Sequence, residues 1–165
     1  MRTSVEQFLE QVAQRGSWIG GGSVAALGAA LAAALLEKLV FQPPLRRRLQ
    51  AVRRECLSLI DQDAKMFARV IDATRGHRRA VFAQALMKAT EIPCRVFERA
   101  HAVQAACRRA QRAIKPKFQS DLRCALAMAK AASDSSRALI NTNLAWLGSP
   151  AYTRRIRRRL SSVSQ

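Results

Sequence analysis

Acidic side chains are scarce in this chain: 11 Asp and Glu stand against 29 Lys and Arg, leaving a formal charge of +18. Such a balance favours anionic partners and loads an isolated domain with self-repulsion. Histidine is nearly absent, with only His77 and His101, neither in metal-ligand spacing, so no metal site is expected. The four cysteines, Cys56, Cys94, Cys107 and Cys124, contain no Cys-x-x-Cys pair. This excludes a zinc ribbon and argues against a disulfide framework, leaving reduced, mostly buried thiols. Aromatics make up 5% of the chain, too few surface cues for a reader of bases by stacking.

Long apolar runs are missing too. The longest, 24–36, has 13 residues before Glu37 and Lys38, whereas a membrane-spanning helix needs about 20. A buried helix in a cytoplasmic protein without a membrane role is the expectation, and no secretory leader is legible. The small side chains of this run, with Gly28, permit close backbone contact, and its apolar character on every face places it centrally or in a dimer interface. No Lys-Ser/Thr pair follows Gly20-Gly21-Gly22 in P-loop spacing, and the glycines do not form the spaced dinucleotide fingerprint. A Ser-His-acid arrangement is likewise not legible.

What is present is helical periodicity. The 165 residues suit one ordinary domain. Val5, Phe8, Leu9 and Val12 mark one face of a first helix over 4–15, with Ser4 as its cap. A second helix follows the glycines. A third runs from Leu45 to about Ala73 and stops at Thr74 to Gly76. Pro93 either starts a new helix over 94–113 or kinks a continuous one. Ser120-Asp121 opens a long helix that ends at Gly148-Ser149-Pro150. The reading is an all-α, compact bundle of about six to seven helices. Residues 1–149 form the helical domain, and 150–165 form a basic C-terminal helix or tail.

Trp18-Ile19-Gly20-Gly21-Gly22-Ser23 is the sharpest local signal. Each glycine costs about 1 kcal/mol against alanine inside a helix, so the run serves a loop or a helix start. With Ser23 as cap, its free N–H groups can hold a carboxylate, phosphate or oxyanion at the positive end of the helix dipole. A purely structural turn is the other reading of the same residues.

Two acids are worth following. Asp63 falls among Ile60, Phe67 and Ile71, while Asp61 lies roughly opposite on the helix. Asp121 sits at a helix start, where a carboxylate also serves as an ordinary cap. Asn143, near the end of the long helix, carries paired donor and acceptor groups suited to a ring amide.

In order along the chain, Phe8-Leu9-Glu10-Gln11-Val12-Ala13, Gly20 to Leu27, Asp63-Ala64-Lys65-Met66-Phe67, Ile92-Pro93, Ser120-Asp121 and Asn143-Leu144 resemble the formiminotransferase-cyclodeaminase C-terminal domain and the methenyltetrahydrofolate cyclohydrolase-like family. The resemblance spans roughly 4–147. It implies an all-helical homodimer acting on a one-carbon folate, which is substrate rather than tightly held cofactor. Related enzymes are lyases or hydrolases of one-carbon metabolism. They release ammonia from 5-formiminotetrahydrofolate, or hydrate 5,10-methenyltetrahydrofolate toward the 10-formyl compound. Carried onto this chain, Asp63 and Asp121 are the catalytic candidates, and Gly20, Gly21, Gly22, Ser23 and Asn143 are the substrate-binding candidates. The chain departs from the family at two places: Ile19 stands where relatives commonly have proline, and Leu139 where they tend to have asparagine. Asn141 does not replace Leu139, because two residues turn a helix by about 200°.

Two function classes follow. One is a folate cyclohydrolase or cyclodeaminase, with cyclohydrolase preferred for a chain that carries no formyl-transferring partner domain. The other is a noncatalytic structural or RNA-binding protein on the same fold. Its arginine clusters, such as Arg46-Arg47-Arg48 and Arg154 to Arg159, would engage RNA or a larger assembly. The same clusters read equally as solvated helix faces.

Overall fold

Six α-helices carry the chain in a computed structural model that describes residues 4–76 and 79–164: α1 Val5–Ala13, α2 Gly21–Leu39, α3 Pro43–Arg75, α4 Arg79–Ala110, α5 Gln119–Leu147 and α6 Pro150–Ser164. A 3-10 turn, Pro116–Phe118, precedes α5, and no strand occurs among the described residues. His77 and Arg78 lie outside them.

Local chemistry accounts for most boundaries. Ser4 caps α1 in a reciprocal box, its Oγ accepting from the Gln7 N–H while its own N–H donates to the Gln7 side chain. Prolines at the first two positions start α3, where a missing N–H has no helical partner to lose. Gly148, at φ 61°, closes α5 in the left-handed conformation that a glycine adopts without strain. Pro93 does not divide α4. One helix runs through it, because Pro93 and its neighbours Ile92 and Cys94 are all buried and tertiary packing outweighs the lost hydrogen bond.

α2 is the central element and packs against α3, α4 and α5. It is the one helix among the described residues long and apolar enough to cross a membrane, yet Ala25, Ala26, Ala29, Ala30, Ala32 and Ala33 are buried in the bundle. Their small side chains let neighbouring backbones approach closely. Gly28 meets Ala132 of α5 where its own Cβ would lie 3.7 Å from that methyl.

Three apolar clusters stack along the bundle. At one end Leu36, Leu39 and Val40 meet Leu49, Val103, Cys107, Ile114 and Leu122. The middle joins Ala26 and Ala29 to Cys56, Leu59, Val96 and Ala100. At the other end Cys94, Phe97, Ile140 and Leu144 receive Tyr152 and Ile156 of α6. Residues 150–164 are therefore helical and docked: the Tyr152 hydroxyl donates to the Met87 carbonyl at 3.1 Å, and Arg159 pairs with Glu91 and Glu98. Cys56, Cys94 and Cys107 are buried free thiols, pushed up to about 12, about 12 and about 11 chiefly by desolvation. They are inert as nucleophiles.

Candidate functional site

The start of α2 meets the second half of α3 through one side chain. Ser23 is fully buried and lies inside the helix, with Gly20 as the N-cap. It is not the cap that its sequence position indicates. Gly20 has no side chain to satisfy the first-turn donors, and Asp63 of α3 takes over that task. The Ser23 hydroxyl donates to Asp63 Oδ2 at 2.9 Å, and the Ser23 backbone N–H donates to the same carboxylate. The Ile60 carbonyl, 3.3 Å from Ser23 Oγ, is the more distant acceptor.

This contact also explains one of the three glycines. A Cβ on Gly22 would lie 2.1 Å from Asp63 Oδ1 and 2.5 Å from its Cγ. Gly22 is thus required by close approach. A Cβ on Gly21 would meet Leu139 at an ordinary 3.5 Å, and one on Gly20 would meet nothing within 4 Å. At this helix start the Ser23 donors are turned toward Asp63, while Gly20, Gly21 and Gly22 line the cavity.

Asp63 is half-buried, and burial pushes its carboxyl above the usual carboxylate range, against the opposing pull of its bonds from Ser23. It forms part of the wall of a cavity of about 200 Å³. Gly20, Gly21 and Gly22 form one side, Phe67 and Val70 of α3 another, Leu86, Ala89 and Pro93 of α4 a third, and Leu139, Thr142, Asn143 and Trp146 of α5 the last. Trp18, in the loop before α2, completes the rim. Pro93 has no N–H to give to the Ala89 carbonyl four residues back, so α4 lacks one backbone bond where it borders the cavity. The volume is below the roughly 300–1,000 Å³ of sites that enclose a drug-sized ligand, so it suits one end of a larger molecule, such as a fused ring.

Aromatic side chains set the character of the opening. Trp18, Phe67 and Trp146 are 43%, 42% and 60% exposed, and Trp18 and Phe67 meet edge to face at 6.2 Å between centroids. The chain has two tryptophans, and both border this cavity. The sequence signal was available: a residue type this rare, once two residues before the first glycine and once at the end of the helix bearing Asn143.

Of the candidates read from sequence, Gly20, Gly21, Gly22, Asp63 and Asn143 line one cavity, with Ser23 directly behind Asp63. Asp121 is elsewhere. It lies in the first turn of α5, eighteen residues before Leu139, about 27 Å along the helix, and its carboxylate pairs with Lys38 at 3.6 Å. The structure therefore does not bring Asp63 and Asp121 together within one chain. Asp61 and Asn141 are exposed and outside the cavity wall. Leu139 does face the cavity, so its apolar side chain shapes the site.

The architecture is that of an all-helical bundle built around α2. The chain belongs to the formiminotransferase-cyclodeaminase family, whose sequence profile matches residues 4–42 and 43–162. Among solved structures, the fold is similar to that of formiminotetrahydrofolate cyclodeaminase from Thermotoga maritima, with a TM-score of 0.92 and 19% identity over 99% of this chain and 89% of that one. No curated protein matches the sequence.

Proposed function

We propose that the chain is a one-carbon folate enzyme, binding the ring end of a tetrahydrofolate derivative in the cavity and interconverting the 5,10-methenyl compound with its hydrolysed or formimino form. The observation that carries this reading is Asp63: a carboxylate of raised proton affinity, fixed by Ser23, on the wall of an apolar, aromatic-rimmed cavity. Family membership and the name of the Thermotoga maritima relative support the substrate class.

Both reactions make the same demand. In cyclodeamination, N10 attacks the formimino carbon, N10 loses a proton, and the amino nitrogen leaves as ammonia after gaining one. In hydrolysis, water adds to the methenyl carbon and gives up one proton; the bond from that carbon to N5 then breaks, N5 taking up a proton as the new hydroxyl releases its own and becomes the formyl carbonyl. A single group near the carbon can accept and return the proton, and a carboxyl moved up toward neutral pH suits both directions. Trp18, Phe67 and Trp146 present flat faces to a fused ring, and the Asn143 amide offers it a donor and an acceptor. The folate is substrate here, not resident cofactor.

The same reading includes a homodimer. Val24 and Leu31, seven residues apart on one face of α2, stay 44% and 47% exposed, an apolar stripe suited to a second copy. Purified protein is offered methenyl- and formiminotetrahydrofolate separately, with Asp63→Asn as comparison. Turnover of one substrate, lost in the variant while its helicity is kept, is the expected result. The absence of both turnover and binding with both compounds overturns the reading.

A further inference from the structure

The end of the bundle farthest from the cavity is a cationic face. Lys38 of α2 reaches Asp121 at the start of α5. Glu37 accepts from Gln50 and Arg53 of α3, and Leu49 packs with Val103 and Ala106 of α4. The start of α3, the end of α4 and the turn before α5 thus meet in one place. Arg46, Arg47, Arg48, Arg108, Arg109 and Arg112 are all exposed there, and none makes an ion pair among the described residues. The acids of these segments, Glu37 and Asp121, are already paired.

One exposed aromatic stands among these charges, a stacking surface that the low aromatic content of the sequence does not lead one to expect. Phe41, in the short loop between α2 and α3, is 74% exposed, between the buried Val40 and the two prolines that start α3. A short loop holding an exposed aromatic side chain about one helical turn from Arg46 has the two parts of a single-strand reader: cations for the phosphates and a flat face for a base. A membrane surface fits less well, since interfacial anchoring takes a broad apolar helix face and Phe41 is the large apolar side chain exposed at this end.

We propose that this end binds single-stranded nucleic acid, the arginines neutralising the phosphodiester backbone and Phe41 stacking on a base. The face is about 27 Å along α5 from the cavity wall, so the proposal stands or falls apart from the folate reading.

The test uses nuclease-treated full-length protein with fluorescent 20-nucleotide single-stranded RNA, its DNA equivalent, and vesicles containing phosphatidylserine, titrated at several salt concentrations. The expected result is anisotropy-detected binding of at least one oligonucleotide. Its log affinity should fall with log salt by about 0.7 per phosphate engaged. Arg47→Glu with Arg109→Glu should lower affinity at least tenfold, and Phe41→Ala about fivefold or more. Arg154→Glu with Arg157→Glu on α6, a matched charge change elsewhere, should leave it within about twofold. No binding by the wild type, equal loss in the α6 control, or a Phe41-dependent preference for vesicles over both oligonucleotides each overturns the proposal.

Discussion

Replacing Gly22 by alanine separates two accounts of the glycine run. If the glycines serve only as flexible backbone, Gly21→Ala and Gly22→Ala should behave alike. The structure separates them, because the added Cβ would sit 2.1, 2.5 and 2.6 Å from the Oδ1, Cγ and Oδ2 atoms of Asp63 and only 3.5 Å from Leu139 in the other case. Ordinary contact needs about 3.4 Å or more, so the whole carboxylate of Asp63 must retreat by roughly an ångström in Gly22→Ala. The 2.9 Å bond from Ser23 is lost with it. Losing a helix-start cap costs about 1–2 kcal/mol, and alanine in place of glycine returns about 1 kcal/mol of helix propensity. The net destabilisation is therefore only about 0–1 kcal/mol, a fall in Tm of roughly 0–4 °C for a domain of this size. Turnover, by contrast, should drop by about a hundredfold or more, since general acid-base groups contribute about 10²–10⁴. Thermal unfolding followed by circular dichroism, paired with the change in methenyl absorbance, measures both. Gly21→Ala should keep its Tm and most of its turnover. Equal losses in the two variants would refute the close-approach argument, and so would full activity in Gly22→Ala.

Other consequences are open to the same kind of measurement. Burial raises the Asp63 pKa, so its contribution to stability is complete below the unfolded carboxyl pKa of about 4 and is lost as pH rises through the folded value. The Tm of the wild type minus that of Asp63→Asn should therefore shrink as pH rises above about 4, and a difference that grows with pH contradicts the assignment. Trp146→Ala should raise KM for the folate about threefold to tenfold, the worth of an aromatic pair, with Tm nearly unchanged because Trp146 is 60% exposed; an unaltered KM removes it from the site. Ile156→Ala should cost about 2–5 kcal/mol, as for other buried aliphatic truncations, because Ile156 is packed with Cys94, Phe97 and Ile140. A shift in its denaturant midpoint worth less than 1 kcal/mol would make α6 an appendage rather than part of the core.

Helices were legible because their signals are local. The apolar spacing of α1 and α3, the Ser4 box, the double proline and Gly148 all act within a turn or two of the residue that carries them. The ambiguity at Pro93 has the same origin. Proline locally argues for a break, and only the burial of Ile92, Pro93 and Cys94 by distant elements keeps α4 whole. The site was legible in part. Gly20 to Gly22, Asp63 and Asn143 share one cavity, but Ser23 was misread as a cap because nothing near it in sequence reveals that α3 delivers a carboxylate to the same helix start. Asp121 shows the limit from the other side. An acid at a helix start carries the same local signal at either end of a bundle, and the packing of α5 beside α2 decides which end it occupies.

The placement of Asp63 also decides between two effects with opposite sign. A helix start and two hydrogen bonds to Ser23 stabilise the ionised carboxylate and pull its pKa down, which alone would make Asp63 a permanent anion and a poor proton carrier at neutral pH. Enclosure by Phe67, Val70, Leu86 and Leu139 removes water and pushes the other way, and desolvation is the larger of the two. The hydrogen bonds therefore act mainly on position, and the apolar wall acts on proton affinity. Leu139 illustrates the division: its side chain lines the same cavity as Asp63 and adds hydrocarbon rather than a polar partner to the wall. An asparagine there would add a hydrogen-bonding partner for a ligand and make the wall less apolar. The leucine at that position thus keeps the wall apolar and offers a ligand no hydrogen bond there.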